Sequence, residues 1–173
     1  MATEGAVTIR PGGPDDIEAA LTVLHAADAA RSGGVIGFMD DPDRVRRRLA
    51  SDGALFVAAA AGRELIGVAA GLQARTDGGA GVAIDGLCHI TMVAVRPDRW
   101  GQGIGGRLVR ALISAAAAHG YVQAQLFTQV DNARAQRLYS GLGFTPSGET
   151  AVSAGGEAIV HYGLALRPGA ERP

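Results

Sequence analysis

The chain has 173 residues, 47% of them apolar, and a formal charge of −1. That length and composition fit one compact domain with a core to bury and exclude global disorder. The near-neutral charge offers no sequence-wide attraction to nucleic acid, and no apolar run approaches the roughly 20 residues that span a membrane. The opening MATEGAVTIR lacks the layout of a signal peptide, so the cytoplasm is the expected location. All 16 basic residues are arginine, which removes lysine as a base or Schiff-base nucleophile. Cys88 is the single cysteine, and His25, His89, His119 and His161 stand far apart, so neither a disulfide nor a metal site is expected.

Residues 7–10 read as a strand, broken by Pro11-Gly12-Gly13. Pro14-Asp15-Asp16 opens a helix with a stripe at Ile17, Leu21, Leu24 and Ala27, ended by Arg31-Ser32-Gly33-Gly34. A loop at 33–42 carries Val35, Ile36, Phe38 and Met39, and a second helix runs over 42–50. Strands at 54–60 and 64–74 join at Ala61-Gly62-Arg63 as a hairpin. The glycine-rich stretch 76–86 reads as a loop, and 87–95 as the strongest strand, ended by Pro97. A helix over 103–119 keeps Ile104, Leu108, Leu112 and Ala115/Ala116 on one face, with Gly120 past its end. A strand follows at 122–128, then a helix capped by Asp131 or Asn132 and reaching Gly141, then a final strand at 158–166. The order is β-α-α-β-β-β-α-β-α-β: an α+β single domain with a mixed sheet, antiparallel early and βαβ-like after Pro97.

Between the 87–95 strand and the next helix stands Arg99-Trp100-Gly101-Gln102-Gly103-Ile104-Gly105-Gly106. Such a loop converges backbone N–H groups on an anion at a helix's positive end, and Arg99 and Arg107 flank it with charge. Gly101, Gly103 and Gly106 satisfy a dinucleotide pattern, but the next strand offers Gln123 and Gln125 where a ribose-binding acid belongs. A nucleotide P-loop needs a lysine the chain lacks. A bare tight turn is the plainer alternative, and four glycines beside arginines outweigh it.

These residues resemble the GNAT superfamily of acyl-CoA N-acyltransferases, whose signature is a bulged strand, a Q/R-x-x-G-x-G/A loop and a helix. The loop here is Trp100-Gly101-Gln102-Gly103-Ile104-Gly105, and residues 132–144, NARAQRLYSGLGF, are similar to the family's N-x-x-A-x-x-L-Y-x-x-L-G-F segment. The resemblance extends more loosely over residues 7–166 and implies a GNAT-like fold, a mixed central sheet flanked by helices. It implies acetyl-CoA as co-substrate, held by the backbone of Val93, Ala94 and Val95 along the pantetheine arm. The amides of Gly101, Gln102, Gly103, Ile104, Gly105 and Gly106, with Arg99 beside them, would cradle the pyrophosphate. Asn132 matches an asparagine that contacts the cofactor, and Tyr139 a tyrosine that protonates the departing thiolate. Trp100 departs from the family's Gln or Arg. A glutamate that some protein N-terminal acetyltransferases carry would fall near Phe127, which argues against that mechanism.

The implied reaction is transfer of acetyl to a primary amine by direct attack, with no metal. An alkyl ammonium, of pKa about 10.4, must first lose a proton. The family's carboxylate position, six residues before the last valine of the strand, holds His89; an imidazole of pKa about 6.5 is competent there. The plainer readings are a packed histidine and a packed Tyr139 ring. Cys88 and His89 point to opposite faces of a strand and cannot form a dyad. Arg44, Arg46, Arg47 and Arg48 read as a solvated face, and Asp85 as a turn residue. In the family's variable loop region, Phe38 and Met39 are candidates for the acceptor wall. The expected acceptor is a small molecule. The alternatives are a protein N-terminus, or a non-catalytic acyl-CoA-binding or sensory module lacking a competent base; the resemblance also allows a homodimer.

Overall fold

The computed structural model describes residues 5–32, 41–153 and 156–167. Along the chain come β1 (Val7–Pro11), α1 (Ile17–Ser32), α2 (Pro42–Ala50), β2 (Leu55–Ala61), β3 (Glu64–Arg75) and β4 (Ala83–Val95). Then follow α3 (Ile104–Ala118), β5 (Gln123–Gln129), α4 (Ala133–Gly141), β6 (Thr145–Val152) and β7 (Ala158–Ala165). The seven strands form one mixed sheet in the order β1-β2-β3-β4-β5-β7-β6. β4 and β5, joined through α3, run parallel, whereas β1–β2, β2–β3, β5–β7 and β6–β7 are antiparallel. Among the described residues no helix is long and apolar enough to cross a membrane.

The described residues pack as two compact units, one of those up to Leu72 together with Thr91–Leu112, the other of Gln73–Ile90 together with those from Ile113 onward. In the first unit, α1 and α2 lay Ala20, Val23, Leu24, Val45 and Leu49 against Phe56, Val68, Ala70 and Met92 of the sheet. β2 and β3 are buried along almost their whole length, which their Ala-, Val- and Gly-rich sequences permit. A Cβ on Gly67 would stand 2.8 Å from Leu108 Cδ1, so the missing side chain is what lets α3 seat closely on β3. In the arginine run of α2, Arg44 and Arg47 are exposed as expected, whereas Arg46 and Arg48 are half-buried. Arg46 donates to both carboxylate oxygens of Glu18, at 2.7 and 3.0 Å, and to Asp43 at 2.7 Å.

In the second unit, β7 pairs with β5 from Gln123↔Ala165 to Gln129↔Ile159 and carries β6 on its other edge. Two features differ from the sequence expectation. β4 begins at Ala83 and not at 87, because Gly86 (φ +72) turns the backbone within the strand, and that glycine reads as loop. β6 is an additional strand: TPSGETAV is exposed at every position, so it carries no apolar alternation and is held by its ladder with β7. Residues 35, 36, 38 and 39 of the expected acceptor loop lie outside the described residues.

Candidate active site

In the first unit, β4 ends in Val93, half-buried, followed by Ala94 and Val95, both buried, which breaks the strict alternation before them. Arg96 then pairs with Asp98 at 3.0 and 2.8 Å and with Glu64, fixing the exit from the strand. The Trp100 indole Nε1 donates to the carbonyl of Val95 at 2.7 Å. The residue that departs from the family pattern thus straps the glycine loop to the end of β4, and the Val95 carbonyl is engaged by it.

Gly101 (φ +81) and Gly103 (φ +75) are left-handed, a conformation that costs other residues about 1–2 kcal/mol. A Cβ on either would meet nothing within 4 Å. Conformation therefore demands these glycines, and the space beside them is open. The Arg107 amide bonds back to Gly103 O at 3.2 Å, so the amides of residues 103–106 are the orphan donors at the start of a 15-residue helix. Gly101, Gln102 and Gly103 are exposed, Gly105 is half-buried, and Ile104 and Gly106 are buried. Arg99 is half-buried, with its Nε 4.0 Å from Asp98. Arg107, expected to flank the loop, instead donates from Nη2 to the carbonyl of Val7 at 2.8 Å.

In the second unit, the alternation of β4 buries Cys88 and Ile90 and leaves His89 on the half-open face. Nδ1 of His89 is buried. The β4–β5 ladder ends at His89↔Gln125, whereas the β5–β7 ladder continues to Gln129. On that face the His89 ring lies 5.1 Å from Phe127, tilted by 51°, and Phe127 stacks on His161 at 4.6 Å and 25°. Nε2 of His161 and Oε1 of Gln125 are 3.0 Å apart.

Tyr139 lies on the other face, packed against Phe144 at 5.9 Å and Tyr162 at 6.4 Å between ring centroids. Tyr162 pairs with Leu126 on the buried side of β5. The two expected catalytic side chains are therefore on opposite faces of this part of the sheet. Burial pushes the Tyr139 phenol up to about 12 and the Cys88 thiol up to about 11. A thiol so held is no nucleophile at neutral pH. Asn132 is the N-cap of α4, its Oδ1 accepting from the Ala135 amide at 3.1 Å. Gln136 ties the same helix to the end of β5, donating to the carbonyls of Gln129 and Val130 at 3.2 and 2.7 Å. Asp85 is exposed and lies within β4.

Gln125 and His161 escaped the sequence reading. The period-2 pattern of Gln123, Gln125 and Phe127 marks an open face, but nothing local signals that β7 inserts beside β5 and brings His161 onto it.

The family model described as acetyltransferase (GNAT) matches residues 23–144, a span that takes in the glycine loop and the segment through Phe144. No curated protein matches the sequence. Among solved structures, the chain is similar to the ribosomal-protein-S18-alanine N-acetyltransferase of Escherichia coli. The TM-score is 0.74 at 20% identity, covering 97% of this chain and 99% of that one. It is also similar to yncA of Salmonella typhimurium, solved with its cofactor acetyl-CoA, with TM-score 0.72, 22% identity and 98% and 99% coverage. For the paia N-acetyltransferase of Thermoplasma acidophilum, in complex with coenzyme A, the TM-score is 0.64 at 16% identity, covering 90% of this chain and 98% of that one. At these identities the likeness is one of fold.

Proposed function

Because the chain belongs to the acetyltransferase (GNAT) family, we propose that it moves acetyl from acetyl-CoA to a small primary amine by direct attack. It does so as one catalytic domain with its core over residues 7–166, acting in the cytoplasm. The observation that carries this reading is the loop at Gly101 and Gly103, with open space beside two left-handed glycines ahead of the first amides of α3. That arrangement suits a pyrophosphate, which draws on converging N–H groups and the positive end of a helix.

Acetyl-CoA supplies the thioester carbonyl that the amine attacks. Gly101, Gln102, Gly103, Ile104, Gly105 and Gly106 hold the pyrophosphate through their amides, and Arg99 adds charge. Val93, Ala94 and the Val95 amide pair along the pantetheine arm, while Trp100 keeps the Val95 carbonyl. Asn132 adds a contact from the start of α4.

His89 takes the proton that an ammonium of pKa about 10.4 must lose before it can attack. Tyr139, held near 12, stays protonated at neutral pH. Complete transfer from it to a thiolate of pKa about 8.5 is uphill by roughly 5 kcal/mol. Its role is accordingly a hydrogen bond offered to the departing sulfur from the face opposite His89, with solvent supplying the final proton.

The test is CoA release across an amine panel, with wild type and His89→Ala. The variant is expected to lose about 10²–10⁴-fold in kcat at neutral pH while its Kd for acetyl-CoA is unchanged. Near-wild-type turnover would remove His89 from the role of base. Acetyl-CoA binding by wild type without release to any amine would favour a binding module instead.

A further inference from the structure

We infer that the open face of β4, β5 and β7 in the second unit is the acceptor subsite, that Phe127 is its centre, and that it selects an amine bearing an aromatic ring. The inference rests on the acetyl-transfer reading, because it takes His89 as the place where the amine loses its proton.

Phe127 is 45% exposed on a strand whose neighbours Leu126 and Thr128 are buried. The ring is flanked by the imidazoles of His89 and His161, at 5.1 and 4.6 Å, so three rings form a row across three strands. Phe127 is in ring contact with His89, so an amine at His89 whose body lies along β5 meets that ring. The row is apolar in the middle and polarisable at both ends, a surface on which a flat ring gains more contact than a flexible chain.

The chemistry around the row points the same way. Its neighbours on β5 are the amides Gln123, Gln125 and Gln129, and the carboxylate beside them, Glu157, is already engaged, accepting from Gln129 Nε2 at 3.1 Å. Oε1 of Gln125 and Nε2 of His161 are 3.0 Å apart, so the third ring of the row is anchored to β5. Across the ladder from Gln125 stands Gly163, where a Cβ would meet nothing within 4 Å. The face is thus level beside the row, with room for a ring.

The experiment compares phenethylamine, hexylamine and spermidine, by NMR titration of the CoA-bound full-length chain and by CoA release from acetyl-CoA. Phenethylamine is expected to bind at least about three-fold tighter than hexylamine. Phe127→Leu is expected to cut that preference by about three- to ten-fold, the range of an aromatic pair's contribution, with an unchanged melting temperature. Gly163→Val, which the open space accommodates, is expected to raise the KM for phenethylamine several-fold. Equal or tighter binding of hexylamine or spermidine overturns the inference, as does a preference that survives Phe127→Leu. Preferential phenethylamine binding without CoA release keeps the aromatic subsite and removes acetyl transfer. Release with hexylamine favoured keeps transfer and removes the subsite.

Discussion

Tyr139 and Cys88 are both weak acids that burial holds in the neutral form, the phenol up to about 12 and the thiol up to about 11. In the unfolded chain they ionise near their ordinary values, about 10 and 8.5. For an acid with a raised folded pKa, the unfolded state releases its proton first as pH climbs. Stability is then fully present at neutral pH and is lost from about pH 9 upward, on the order of 4 kcal/mol by pH 11 for the two groups together. Urea unfolding at pH 8 and pH 11 measures this loss, and Tyr139→Phe, which keeps the ring, should remove part of it. A profile as steep in the variant as in wild type would place the ionising group elsewhere. At this scale the sequence is legible where a residue's own strand decides its fate. Period-2 alternation separates His89 from Cys88 correctly, because it needs only one strand. His161 is opaque, because its meaning comes from Gln125, 36 residues away in the chain.

For elements, the legible ones begin or end on a side chain or backbone with its own local rule. Asn132 accepts from the Ala135 amide, so α4 starts at one of the two caps the sequence offers, and α2 starts at the expected Pro42 with Asp41 accepting from the Arg44 amide. β6 follows no such rule, since its polar sequence takes up strand geometry through the edge of β7. The cap also separates two roles for Asn132, which the family resemblance gives to the cofactor and the geometry gives to the helix. Asn132→Ala loses both the cap, at about 1 kcal/mol, and the amide donor. Asn132→Asp keeps an acceptor for Ala135 and suits the helix dipole, but it removes the donor and sets a negative charge near bound phosphate. The expected outcome is wild-type stability in urea for the Asp variant, with acetyl-CoA binding weakened in both, measured by calorimetry. Undiminished binding in Asn132→Asp makes the residue a cap and nothing more.

On the scale of the whole molecule, mixed-sheet class and strand–loop–helix order follow from periodicity and glycine placement, whereas the insertion of β7 between β5 and β6 is a choice among edges that no local pattern records. The cofactor reading can be tested at the same scale, because a ligand that binds only the folded chain raises the whole unfolding free energy. At a ligand concentration 100 times Kd the gain is about 2.7 kcal/mol. For a chain of this size that is about 5–10 °C in melting temperature. Gly103→Val should lower the unliganded melting temperature by a few degrees, because a branched residue is forced into a left-handed backbone, and it should abolish the acetyl-CoA shift. Gly53 supplies the matched control: its φ is +78 and a Cβ there also meets nothing within 4 Å, but it lies in the turn after α2. Gly53→Val should therefore show the same backbone cost and keep the full shift. A shift that survives Gly103→Val, or disappears in Gly53→Val, would mean that the glycine loop is not where the pyrophosphate binds.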